Sequence, residues 1–241
     1  MKQQEKHTGQ TGISYILARK DVKNINIRIR PDGTVYVSAG PRVPLRVIEH
    51  LLEQKAQWIQ TVQRRIQATN VVVPQPRQYC TGEAFYYLGQ EVPLVIQREN
   101  NIEVYLENGN LVLSCPEPEA FATREMLIKK WYSKQARLFF EPLCAQIHSS
   151  FFEGTPEPQL RLRFMKSQWG NCRAGQRIIT LNTRLIMVPY ECIEYVVMHE
   201  FAHLIEQNHS SRFYAVLERM LPEHQQRRNQ LKQWGPLVLP L

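Results

Sequence analysis

Val196-Val197-Met198-His199-Glu200-Phe201-Ala202-His203-Leu204-Ile205-Glu206-Gln207-Asn208-His209 is the stretch on which the reading of this chain turns. His199 and His203 stand four apart, so on a helix they lie one turn above the other on one face and can share a metal ion. Glu200, beside the first histidine, is placed to take a proton from a metal-bound water without itself being a ligand. Two imidazoles leave zinc under-coordinated, and a catalytic site wants three protein ligands and an open position. His209, six residues after His203, supplies the third. The spacing is that of H-E-x-x-H-x-x-G-x-x-H with Glu206 at the glycine position. The chain must therefore turn without that glycine, and Asn208, which tolerates left-handed backbone, is the residue expected to end the helix. Ile193, Val196, Val197 and Leu204 form the apolar stripe that would bury the helix.

The rest of the composition narrows the chemistry. A chain of 241 residues, 43% of them hydrophobic, can bury a substantial core. The reading is of a soluble, cytoplasmic protein: no run approaches the ~18 apolar residues of a membrane span, and the polar start carries no signal-peptide core. Five cysteines without a C-x-x-C pair argue against a disulfide framework or a cysteine zinc knuckle and read as small buried thiols. The only aspartates are Asp21 and Asp32, so the clustered carboxylates of a two-metal phosphohydrolase are missing. A net charge of +8 favours anionic partners and leaves nucleic acid open without naming it.

Along the chain, residues 1–12 read as a flexible polar lead, followed by strands over 14–19, 24–30 and 34–38, the last two joined by a hairpin turn at Pro31-Asp32-Gly33. A helix follows over 44–67, with Val47, Ile48, Leu51, Leu52, Trp58, Ile59 and Val62 on its buried side. Val71-Val72-Val73-Pro74-Gln75-Pro76 reads as an extended connector, making 1–72 a subdomain and 73–241 the metal-dependent unit. Short strands are expected over 85–88, 92–97, 102–106 and 111–114, with a hairpin at Glu107-Asn108-Gly109-Asn110. A long helix over 120–140 is expected to break near Pro142. Strands at 160–165 and 178–181 flank a turn at 169–172, and Pro189 opens the metal helix. Ser210 or Ser211 caps the next helix, which runs to about Leu221, and a basic helix closes the chain. No internal repeat is visible. The order predicts an α+β fold with a mixed or antiparallel sheet behind the HExxH helix.

Met165-Lys166-Ser167-Gln168-Trp169-Gly170-Asn171-Cys172, Leu181-Asn182, Pro189, the Tyr195–Leu204 run and Asn208-His209-Ser210 with Phe213 together resemble the YgjP-like metallopeptidase family, related to the SprT-like and WLM zincins. The Arg28–Gly33 hairpin and the Gly82–Gly89 segment resemble it too. The resemblance implies a zincin-type fold, one zinc per chain on His199, His203 and His209, and Glu200 as base. A label as nucleotide pyrophosphatase acting on UTP also attaches to that family. Gln168 stands where the family commonly has arginine, and Asn171 where it commonly has serine, which bears on specificity if those positions touch substrate.

Three functions follow as expectations. The first is a zinc peptidase acting on polypeptide, with an edge strand between Leu160 and Leu181 pairing extended substrate. The second is a nucleotide hydrolase, suggested by Arg161, Arg163, Lys166, Arg173, Arg177 and Arg184 in a run without an acidic residue. The third is a binding module with structural zinc, for which His224 or Glu218 would be the fourth ligand. Lys166, Gln168, Trp169, Asn171 and Arg173 are the expected substrate contacts, with Lys166 and Arg173 pointing into the metal cleft.

Overall fold

The structure, a computed structural model, describes residues 4–8, 12–30, 32–68 and 77–238. The chain forms two compact units, Met1–Pro74 and Gln75–Leu241. The expected connector at 71–76 and Pro31 of the first hairpin lie outside the described residues.

The first unit contains β1 (Gln4–Thr8), β2 (Ser14–Arg19), β3 (Asn26–Ile29), β4 (Val35–Ala39), α1 (Leu45–Gln54) and α2 (Ala56–Ala68). Its sheet has the order β1-β2-β4-β3. β2 and β4 run parallel, and β3 is antiparallel to β4, with Arg28 opposite Tyr36. The polar lead is thus a strand from Gln4, paired antiparallel to β2. An edge strand has one neighbour and needs no apolar alternation, which is why composition misses it. The single helix expected over 44–67 is two, parted at Lys55, where φ is −99° and ψ 5°. Ile48, Leu52 and Ile59 pack with Tyr15, Leu17, Val35 and Val37 as the core. Trp58 is 47% exposed and Val47 44%, against the expectation that both are core: the buried stripe is one residue wide, and Trp58 flanks it beside Leu51, Ile25 and Ile27.

The second unit begins with β5 (Ala84–Tyr87), β6 (Gln90–Arg98), β7 (Glu103–Glu107) and β8 (Asn110–Cys115), followed by α3 (Phe121–Phe151). The β7–β8 turn is Asn108-Gly109, both with positive φ, 49° and 76°. This is the primed two-residue turn that matches strand twist. α3 does not break at Pro142 and continues to Phe151. A proline inside a helix costs about 3 kcal/mol. The residues beyond it, Leu143 and Ile147, are buried in the same core as Leu127, Ile128, Trp131 and Phe140, and that packing carries the helix through.

Then come β9 (Gln159–Arg163), β10 (Gly170–Arg173) and β11 (Ile178–Asn182), and the helices α4 (Tyr190–Ala202), α5 (Ser211–Met220) and α6 (His224–Val238). The expected turn at 169–172 is largely strand β10, which pairs antiparallel with β11 while β9 pairs parallel to it. The sheet behind α4 is therefore mixed, order β10-β11-β9, and the fold is α+β. The three sheets also share one wiring: two parallel strands (β2 and β4, β6 and β8, β9 and β11), with the intervening strand folded back antiparallel on the outer edge. The topology repeats where the sequence does not.

α4 is positioned from below by its own entry. Leu88 and Gly89 donate backbone hydrogen bonds to Ile186 and Met187 carbonyls at 2.9 and 3.2 Å. A Cβ on Gly89 would lie 2.8 Å from the ring of Pro189, the residue that caps α4, so only glycine lets the β5–β6 turn seat there. Cys115 and Cys192 are buried thiols, but Cys80 is exposed, against expectation, and Cys144 and Cys172 are intermediate. No described helix is long and apolar enough to cross a membrane.

Candidate metal centre

α4 is buried on nearly every side, from Cys192 and Ile193 through Val196, Val197 and Met198 to Phe201 and Ala202. An all-round apolar helix of this kind belongs inside a core, so the chain does not present a single buried stripe. The helix ends at Ala202, six residues before the expected stop at Asn208, with His203 as its C-cap in right-handed geometry. Backbone hydrogen bonds from Leu204, Ile205 and Glu206 to Phe201 and Ala202 carbonyls close the last turn at 2.9 to 3.0 Å. Asn208 is not among the described positive-φ residues. The chain turns by satisfying carbonyls rather than by a left-handed residue. Ser210 then caps α5, accepting from Phe213 N at 3.3 Å, and this start delivers His209.

The result is convergence. Ligand atoms of His199, His203 and His209 lie within 4.8 Å of one another. Nε2 of His199 faces Nε2 of His209 at 3.0 Å. His203 Nδ1 sits 3.0 Å from the Glu206 carbonyl. A donating Nδ1–H there leaves Nε2 of His203 free to coordinate. Phe213, fully buried, is the floor: its ring centre lies 4.9, 4.5 and 4.8 Å from those of His199, His203 and His209.

The electrostatics suit a cation. Burial pushes His199 down to about 3, with His203 and His209 adding to it. Burial first, then His203 and Arg228, also lower His209. Such rings are neutral at physiological pH, the form that ligates. Two facing neutral imidazole nitrogens can share at most one proton, so a bound cation resolves their 3.0 Å approach. The donor set of three imidazoles fits zinc with a position to spare.

Glu200 is 5% exposed, and burial pushes it up to about 8. Among the described residues it has no ion-pair partner. It packs against the edge strand: a Cβ added to Gly170 would fall 2.4 Å from Glu200 Oε1. Cys172, two residues along β10, is pushed up to about 11 by burial and then by the Glu200 charge.

A cavity of about 550 Å³ opens over the histidines, lined by Gln168, Asn171 and Arg173 together with Gly170, Glu200 and all three imidazoles. Trp169 instead lines an adjoining cavity with Tyr195, His199 and Glu200. Lys166 is exposed and lines neither. The basic run mostly points elsewhere. Arg161 binds the Gln159 side chain, Arg177 the Thr155 hydroxyl and the Pro156 carbonyl, and buried Arg184 the Met165 carbonyl at 2.8 Å. Of its six cations, Arg173 alone lines the metal cleft. His224 is buried against the Tyr214 ring, and Glu218 is exposed; neither joins the histidine group.

Sequence reasoning noted Asn182 in the resemblance but gave it no role. Fully buried, it holds the loop before β10: its Nδ2 donates to the Met165 and Gln168 carbonyls at 2.9 and 2.7 Å, its Oδ1 accepts from Met165 N at 3.2 Å, and its own N–H donates to Trp169 O at 2.8 Å. The available signal was an amide in the apolar run Ile178–Val188. Phe213, Arg228 and Lys232 were also without a role, because they reach the site from α5 and α6 through long-range packing.

No curated protein matches this chain. Among solved structures it is similar to the metallopeptidase zymogen abylysin of Pyrococcus abyssi, at 24% identity over 39% of this chain and 91% of that one, TM-score 0.36. It is also similar to the metallopeptidase zymogen jannalysin of Methanocaldococcus jannaschii, at 18% identity over 41% and 96%, TM-score 0.35. The YgjP-like metallopeptidase domain matches residues 23–234. That span takes in the β3–β4 hairpin, the Asn182-stapled loop, the HExxH helix and the α6 wall alike, and the chain belongs to the YgjP-like metallopeptidase family.

Proposed function

We propose that the second unit is a zinc-dependent peptidase in which His199, His203 and His209 hold the ion and Glu200 is the general base. The observation that carries this reading is Glu200 itself. A carboxylate buried to 5% exposure with no cation beside it is costly to the fold, and it stands between the histidines and an open strand edge. A purely structural zinc site has no use for such a group.

When bound, zinc polarises the scissile carbonyl and acidifies water. The chain's own residues do the rest. β10 is an edge strand, so its outward backbone groups can pair with an extended polypeptide laid along Gly170–Arg173. This sets the peptide across the mouth of the histidine group. Glu200, held against Gly170, accepts the proton of the attacking water and returns it to the leaving nitrogen. Gln168, Asn171 and Arg173 line the same groove and contact substrate on either side of the cut.

The nucleotide reading lacks comparable support, because the basic run that suggested it supplies one side chain to the cleft. The test is a screen of zinc-loaded protein against unfolded polypeptides and nucleoside triphosphates, with Glu200→Gln as the blank. Cleavage of polypeptide by the parent and loss of at least a hundredfold in the variant is expected. Turnover of triphosphates alone would overturn the proposal.

A further inference from the structure

The cleft has a second compartment. Beyond His199 and Glu200 it narrows into a cavity of about 310 Å³, walled by Trp169 from the loop before β10, Tyr195 and Val196 from α4, and Leu231 from α6. Two cations, Arg228 and Lys232, stand on its α6 side. Both cavities share Gln168, Gly170, His199 and Glu200, so they adjoin at the reacting centre.

Arg228 differs from the cations around it. Arg227 is engaged by Glu194 and Glu223, and Lys232 donates to the Asn229 side chain at 3.0 Å. Arg228 is exposed and has no carboxylate partner among the described residues. It lines the same cavity as Tyr195, His199 and Glu200. An unpaired guanidinium at the rim of an aromatic pocket recognises a planar anion attached to an apolar body.

We infer that this compartment binds the substrate residue beyond the scissile bond, taking a large apolar side chain between Trp169, Tyr195 and Leu231 and a carboxylate at Arg228. That carboxylate is either the free C-terminus of the peptide or an acidic side chain next to the apolar one. The inference deepens the peptidase reading and rests on it for the direction of cleavage, but the recognition itself is separable from turnover.

The experiment therefore measures binding first. Zinc-loaded Glu200→Gln protein is titrated with N-acetyl-phenylalanine, its amide, N-acetyl-phenylalanyl-glutamate amide and inorganic phosphate. The acid should bind about ten- to a hundredfold more tightly than the amide, the worth of a charge-assisted bidentate contact. Arg228→Gln should bring the acid down to the amide, and Arg228→Lys should restore part of the gap, with zinc content and melting temperature confirming that each variant is folded. A glutamate ligand that binds as tightly as the free acid shows that either carboxylate serves, and tight binding of the acid alone identifies the C-terminus. Equal affinity of acid and amide for the Glu200→Gln protein, or phosphate binding as tightly as the acid, overturns the inference. In the otherwise unaltered enzyme, free-acid peptides should then be cut next to the bound apolar residue. Correct binding without any peptide cleavage would sink the peptidase reading and leave the pocket's specificity standing.

Discussion

A side-chain carbon on Gly170 would lie 2.4 Å from Oε1 of Glu200 and 2.6 Å from its Cγ. The edge strand and the buried carboxylate are thus in direct contact, and the absence of a side chain at 170 is what lets Glu200 stand upright beside the histidines. Gly170→Ala should displace Glu200, lower turnover by about tenfold or more, and leave zinc content near one per chain, because a misplacement of about 1 Å at a reacting group costs heavily. Peptide hydrolysis with parallel metal analysis checks it. Unchanged turnover would mean that Glu200 has slack the structure does not show.

Burying Glu200 has a stability cost whose pH dependence has a definite sign. Its folded value is raised from 4.5 to about 8. Below pH 4.5 the carboxyl is protonated whether the chain is folded or not and costs nothing. As pH rises toward 8, the unfolded chain ionises while the folded one resists, so the metal-free protein loses a few kcal/mol across that window. Metal-free Glu200→Gln should melt several degrees above metal-free parent at pH 8, with the difference shrinking toward pH 5. Thermal melts at the two pH values decide it, and identical curves would show that Glu200 is well solvated.

Phe213 supports all three imidazoles at 4.5 to 4.9 Å between ring centres. Phe213→Ala should destabilise the fold by about 3 to 5 kcal/mol. It should also weaken zinc binding by about ten- to a hundredfold, as losses behind metal ligands commonly do. Phe213→Leu, which keeps most of the volume, should recover stability more than affinity. A competition titration against a chelator reads the second effect separately from the first.

Asn182 closes four hydrogen bonds around the Met165–Trp169 loop. Asn182→Leu would take this partner from the Gln168 carbonyl and from the Met165 and Arg184 amides, at about 1 to 3 kcal/mol for each group left unpaired. Hydrogen exchange should show the loop and β10 losing protection while α4 keeps it. Even loss of protection across the unit would assign Asn182 to general stability rather than to the cleft.

What could be read from the sequence was what is local. The Asn108-Gly109 turn declares itself in two residues, and the three histidines lie within eleven positions, so the chain alone brings them together once α4 ends. Pro142 misled because a proline's local cost is visible in sequence while the burial of Leu143 and Ile147 that outweighs it is not. Trp58 misled because it sits next to the buried stripe rather than on it. The recurrent three-strand wiring left no trace, since a shared topology needs no shared side chains. Gly170 beneath Glu200, Asn182 behind the loop and Arg228 across the cleft are contacts between distant segments, and no spacing rule reaches them.

Whether His199, His203 and His209 hold one zinc is decided by metal analysis of purified, zinc-equilibrated protein. The expected result is one zinc per parent chain, near-complete loss in each of His199→Ala, His203→Ala and His209→Ala, and full retention in Glu200→Gln. Stoichiometric zinc persisting in all three alanine variants would contradict it.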